Sequence, residues 1–149
     1  MHRIFHRLFI IVCICIAFTA CASKGDLVPY PEKHTLLLER GDEFFKHFVS
    51  KKFDRMFDMH TRETLGGLDK KQYTNDMNVL FDNTTMRALP TEILHRQDNQ
   101  AQTKTIMLLT IEANKYAVCI SLVWIWEKDT WYIQGDGPTC IPPVGTLRL

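Results

Sequence analysis

The sequence predicts an α+β fold, with helices first and an antiparallel sheet after them. Three observations carry this. Apolar residues recur at helical spacing from about Leu36 to Phe81. After Asn83 the chain turns rich in Ile, Val, Thr and aromatic residues, the composition of strands. The last of these segments folds on paper into a hairpin that puts nearly all its bulky side chains on one face.

The first helical stripe is Leu37, Gly41, Phe44, Phe45 and Phe48, with Glu39, Arg40, Asp42, Glu43 and Lys46 mostly elsewhere. "SKKFDRMFDMH" continues the period with Phe53, Met56, Phe57 and His60, and Ser50 is its candidate N-cap. Gly66 and Gly67 break the run. Asp69 then caps a third helix whose stripe is Tyr73, Met77, Leu80 and Phe81. "RALPTEILHRQD" is extended after its proline. "TKTIMLLTIEA" and "YAVCISLVWIWE" are strands joined by a turn at "ANK", and "EKDT" turns the chain into "WYIQG". With Glu127–Thr130 as that loop, Trp126 pairs with Trp131, Trp124 with Ile133 and Leu122 with Gly135. One face then holds Val118, Ile120, Leu122, Trp124, Trp126, Trp131 and Ile133, the surface that the helices need to cover. The other holds Ala117, Cys119, Ser121, Val123, Ile125, Tyr132 and Gln134.

The N-terminus has the three parts of a secretory signal. "MHRIFHR" is basic, "LFIIVCICIAF" is an uncharged run of 11 residues, and small residues follow. A helix of that length rises about 16 Å, roughly half a bilayer core, so the run is too short for a permanent span. Cys13 and Cys15 have no His, Asp or Glu beside them and behave as small hydrophobes. "FTAC" resembles the bacterial lipobox, with Phe18 where leucine is usual. The resemblance implies cleavage before Cys21 and lipid attachment to its thiol. Ordinary secretory cleavage after Ala20 or Ala22 is the alternative. Ala22, by resemblance to enterobacterial sorting, implies outer-membrane delivery facing the periplasm. Several acyl chains anchor stably where one does not.

Three regions result: a signal peptide at 1–20, a lipidated tether at 21–33 and one domain at 34–149. Loss of Arg3 and Arg7 from 18 basic and 17 acidic residues leaves the mature chain at net charge −1. That balance argues against nucleic acid as a partner. The remaining length suits a single core.

"FVSKKFDRMFDMHTRET" followed by a meander ending in "VWIWEKDTWYIQGDG" resembles the nuclear transport factor 2-like superfamily over about residues 34–138. The resemblance implies a cystatin-like fold in which a strongly curved antiparallel sheet wraps a long helix. It rests on element order and the tryptophan hairpin, not on a catalytic signature.

An oxidising periplasm lets Cys119 and Cys140 form a disulfide closing a 21-residue separation; two free thiols is the alternative. No base is identifiable beside either as for a nucleophile. His60 in "DMHTRET" is either a base poised by a carboxylate or a helix-terminal histidine in a surface ion-pair cluster. His34, His47 and His95 are isolated, and no H-x-x-x-H or H-E-x-x-H spacing points to a metal. No cofactor is implied: "ETLGGLD" lacks the pattern of a phosphate loop. Trp124, Trp126, Tyr132 and His60 are the candidate ligand-pocket residues, with core packing the alternative for the tryptophans.

These features favour a non-enzymatic, outer-membrane-anchored lipoprotein that binds or scaffolds other envelope proteins. A small-molecule binder is the first alternative. A ketosteroid-isomerase-like enzyme, by analogy within the same superfamily, is the second. That chemistry wants an acid in an apolar pocket facing hydrogen-bond donors. Asp54, Asp58 and Tyr132 are its first candidates.

Overall fold

The computed structural model describes residues 30–142. The signal peptide, Cys21, the tether up to residue 29 and the last seven residues lie outside the described residues. Three helices precede five strands: α1 (Tyr30–Val49), α2 (Phe53–Phe57), α3 (Lys70–Phe81), β1 (Thr84–Ala88), β2 (Glu92–Gln97), β3 (Gln100–Ile111), β4 (Asn114–Glu127) and β5 (Thr130–Asp136). The fold is α+β, as its sequence predicts.

Helix α1 begins at Tyr30, before its apolar period becomes visible, so positions 30–33 of the expected tether are helical. Long-range bonds hold this turn. The Lys33 ammonium donates to Asn99 Oδ1 (3.1 Å) and sits 5.0 Å from the Trp126 ring centre. The Trp131 indole N–H donates to the Lys33 carbonyl at 3.0 Å. Leu37, Gly41, Phe44, Phe45 and Phe48 are all buried, as their stripe predicts. Gly41 is required by close approach: a Cβ there would stand 2.7 Å from Thr91 Cγ2. The next residue, Asp42, accepts the Thr91 N–H at 2.9 Å.

Helix α2 departs from its periodicity. It starts after Lys52 with no side-chain cap, because the Ser50 N–H closes α1 on Lys46 O and Lys51 turns the chain at φ 54°. It also stops at Phe57. His60, at the helical spacing, instead bridges in parallel to Ile133 of β5. The Ile133 N–H donates to Met59 O (2.8 Å) and its carbonyl accepts the Thr61 N–H (2.9 Å). An open sheet edge with unpaired donors and acceptors outcompetes one more helical turn. In α3, Asp69 caps the Gln72 N–H at 2.9 Å. Tyr73, Met77 and Phe81 lean on the core, but Leu80 is 69% exposed and does not join them.

The sheet order is β1-β3-β4-β5, with β2 also paired to β3, all antiparallel. The β3–β4 turn is Glu112–Ala113, slightly before the predicted "ANK", with Glu112 at φ 55°. Lys128 and Asp129 form the β4–β5 turn, both at positive φ, the geometry that matches strand twist in a two-residue hairpin. Trp126 opposes Trp131 and Trp124 opposes Ile133, as predicted. Leu122 opposes Asp136 rather than Gly135, because a bulge at Gln134 shifts the register.

Leu122, Trp124, Trp126, Trp131 and Ile133 pack against Phe44, Phe45, Phe53, Met56 and Met59 as one core. Fully burying one such side chain contributes on the order of 1.5–3 kcal/mol. Val118 shares their face but is 39% exposed. Beyond β5 the chain turns onto the opposite face, with the Gly137 N–H donating to Ser121 O at 2.8 Å. Cys140 is there joined to Cys119, their Cα atoms 5.5 Å apart.

Candidate functional site

The bridge between residues 59–61 and β5 builds one wall of a surface concavity. Thr64 Oγ1 reinforces it by donating to Ile133 O at 3.1 Å, and its oxygen lies 2.8 Å from Thr61 Oγ1. Between this latched loop and the outer face of the β4–β5 hairpin runs an open groove of about 560 Å³. His60, Arg62 and Glu63 form one wall. Ile125, Tyr132 and Gln134 come from the hairpin, with Glu127 and Lys128 at its turn. Two cations face two carboxylates, so the groove has no net charge preference. A half-buried aromatic and an aliphatic side chain provide its apolar part.

His60 is held in one tautomer. Its Nδ1 lies 2.8 Å from the Met56 carbonyl, which can only accept, so Nδ1 carries the proton and Nε2 keeps its lone pair. The ring stands edge-on to Phe44 at 5.7 Å and Tyr73 at 5.8 Å. Burial pulls the His60 pKa below the ordinary value, opposed by the bond to Met56 and by the Asp136 charge. Burial also pushes the Tyr73 phenol up to about 12, so it stays protonated at neutral pH.

A stability consequence follows from His60. A histidine whose folded pKa lies below its unfolded value is protonated more readily in the unfolded chain. Its contribution is fully present above the unfolded pKa of about 6.5 and shrinks as pH falls from there toward the folded pKa. Urea midpoints measured from pH 8 to pH 5 are expected to drop below pH 6.5. A His60→Gln variant should flatten that drop; an equal slope in both proteins would refute the assignment.

The four predicted pocket residues divide. His60 and Tyr132 meet in the groove. Trp126 borders a separate depression of about 400 Å³ with Leu36, Arg40 and Asp129. Trp124 lines neither: it is fully buried, and its indole N–H donates to Thr103 Oγ1 at 2.8 Å. The reason is alternation along the strands. Trp124 and Trp126 share the face covered by α1, whereas Tyr132 points the other way. Ile125 and Gln134 have Tyr132's parity, which is the signal that finds them; Thr61, Arg62 and Glu63 enter only through the loop's docking on β5.

The acid–donor arrangement is not assembled from Asp54, Asp58 and Tyr132. Asp54 is exposed beside Arg55, and Asp58 is exposed in an ion pair of 2.6 Å with Lys70. Among the described residues no group of three or more His, Cys, Asp or Glu side chains could hold a metal ion. None of the described helices is long and apolar enough to cross a membrane.

No protein-family model matches the chain, and no curated protein matches it in sequence. Solved structures do resemble it. A domain of unknown function with a cystatin-like fold from Nostoc punctiforme superposes with a TM-score of 0.57 at 10% identity, over 78% of this chain and 82% of that one. A second cystatin-like protein of unknown function from the same organism gives 0.52 at 8% identity, over 72% and 90%. A nuclear transport factor 2-like protein of unknown function from Shewanella oneidensis gives 0.54 at 11%, over 69% and 95%. Identities this low bear on the fold alone. Helices packed on a five-stranded antiparallel sheet in this order make the chain's fold cystatin-like, of the nuclear transport factor 2-like kind.

Proposed function

We propose that this chain is a non-enzymatic binding module of the bacterial cell envelope, anchored in the outer membrane by lipid on Cys21 and recognising other envelope proteins. The observation that carries the non-enzymatic reading is the filled interior. The space between α1 and the sheet is occupied by Phe45, Trp124, Trp131 and Ile133, each 2% exposed or less. Recognition is thereby left to the surface, and the anchor rests on "FTAC". Small-molecule binding is the second reading, favoured by the His60–Tyr132 groove, whose volume falls within the usual range for ligand sites.

Growth with labelled palmitate tests the anchor. The wild-type chain is expected to take up label and sediment with membranes, and Cys21→Ser to lose both. An unlabelled, leaderless wild-type protein free in the soluble fraction would remove the anchor. Envelope pull-down with the lipidated chain tests the recognition. If it recovers no reproducible partner while the purified protein retains a tight small ligand, the second reading replaces the first.

A further inference from the structure

The sheet ends on one side at β5 and on the other at β1. At β5, residues 59–61 close the edge on Ile133. At β1 no described segment does so. The Leu89 N–H donates to Ile106 O at 2.9 Å, in register with the β1–β3 pairs. By alternation Thr85 and Arg87 also bond to β3, and Met86 and Ala88 turn their N–H and C=O groups outward. Among the described residues nothing pairs with those four groups. The window is bounded at both ends: Asp42 takes the Thr91 N–H beyond it, and Asp82 O before it accepts from Lys51 Nζ at 2.6 Å. Between β1 and the second half of α1 lies a depression of about 410 Å³ whose apolar lining includes Phe45, Val49 and Met86. Lys46 and Arg87 also border it, both exposed, and neither has an acidic partner among the described residues. Its one carboxylate, Asp42, is already engaged by Thr91.

We propose that this edge receives an extended segment of another envelope protein, in which apolar residues alternate with carboxylates, added as a strand beside β1. The site rests on the envelope-recognition reading above and gives that module a surface. Main-chain bonds to Met86 and Ala88 hold such a segment, and its alternate side chains give selectivity. Along β1, Met86 is buried, Arg87 exposed and Ala88 half-buried. An added strand shares this period of two. Its apolar residues fall on the side of Phe45 and Val49, and its carboxylates fall on the side of Arg87. Lys46 adds a second attraction, and a basic segment would be repelled by both cations. With only two outward residues in the window, the contact is weak and exchangeable.

Two labelled hexapeptides test it, one alternating Glu with Val and one alternating Lys with Val, titrated by fluorescence anisotropy against the full-length chain in detergent solution. The acidic peptide is expected to saturate and to bind at least ~10-fold tighter than the basic one. Hydrogen exchange at the Met86 and Ala88 amides should slow as it binds. Ala88→Pro deletes an outward N–H, which an edge strand tolerates, and should weaken the acidic peptide about 10-fold. Lys46→Glu combined with Arg87→Glu leaves the backbone intact and should erase the preference for acid. No saturation by the acidic peptide, equal binding of both peptides, or an Ala88→Pro chain that binds as the parent does overturns the proposal. So does protection of the Met86 and Ala88 amides in the free chain, which assigns the edge to residues outside 30–142 or, if dilution removes it, to a second copy. Envelope recognition is judged separately. Pull-down that recovers the same partners with parent and Ala88→Pro chains keeps the module and removes only this surface.

Discussion

Trp124→Ala is expected to lower the unfolding free energy by about 4 kcal/mol, the upper part of the range for deleting a large core side chain. Two terms add. The indole is fully buried, with the Phe44 ring 6.4 Å away and edge-on, so its removal leaves a cavity among rigid aromatics. Thr103, also fully buried, loses the donor that satisfies its hydroxyl. Trp124→Phe separates the terms: it fills much of the space and still leaves Thr103 without the indole donor, so its cost should be roughly 1–3 kcal/mol. Urea unfolding at neutral pH with an unchanged denaturant slope is the measurement. A domain of this size has only about 5–15 kcal/mol in total, so the effect is large. A loss below about 1 kcal/mol for the alanine variant would mean that the interior tolerates a void, and the filled-core argument against an internal ligand site would fail.

The second large effect concerns the covalent link between Cys119 and Cys140. Opening it should cost about 3 kcal/mol, the loop-closure value for a separation of 21 residues. Paired serine substitution and chemical reduction should agree, since both free the same loop. That loop contains the β4–β5 turn, the whole of β5 and all three tryptophans. Loss of the link therefore loosens the denatured-state constraint on the strand that closes the core. Coincident urea midpoints for oxidised and reduced protein would show that the link adds nothing to stability.

What was legible in the sequence was whatever local periodicity decides. The Leu37–Phe48 stripe, the Asp69 cap and the Trp126–Trp131 and Trp124–Ile133 pairs all follow from spacing within one element or one turn. The failures have a common cause in contacts distant along the chain. His60 sits at helical spacing, yet the unpaired edge of β5, more than 70 residues later, draws its neighbours into a bridge. The first turn of α1 has a weak apolar signal because Lys33 is held by Asn99 and Trp126, which its own segment does not contain. The bulge at Gln134 moves one predicted pair and leaves the other two in place. The groove was half legible. Strand parity places Tyr132, Ile125 and Gln134 together, whereas Arg62 and Glu63 reach it only through the latch of Thr61 and Thr64 on Ile133.

The helical turn at Tyr30 bears on the proposed anchor. Nine residue steps separate Cys21 from Tyr30 in the sequence, and even at full extension they span at most roughly 30 Å. Under the proposed lipidation of Cys21, the folded body would therefore stay close to the bilayer, and its partners would have to come to the membrane surface.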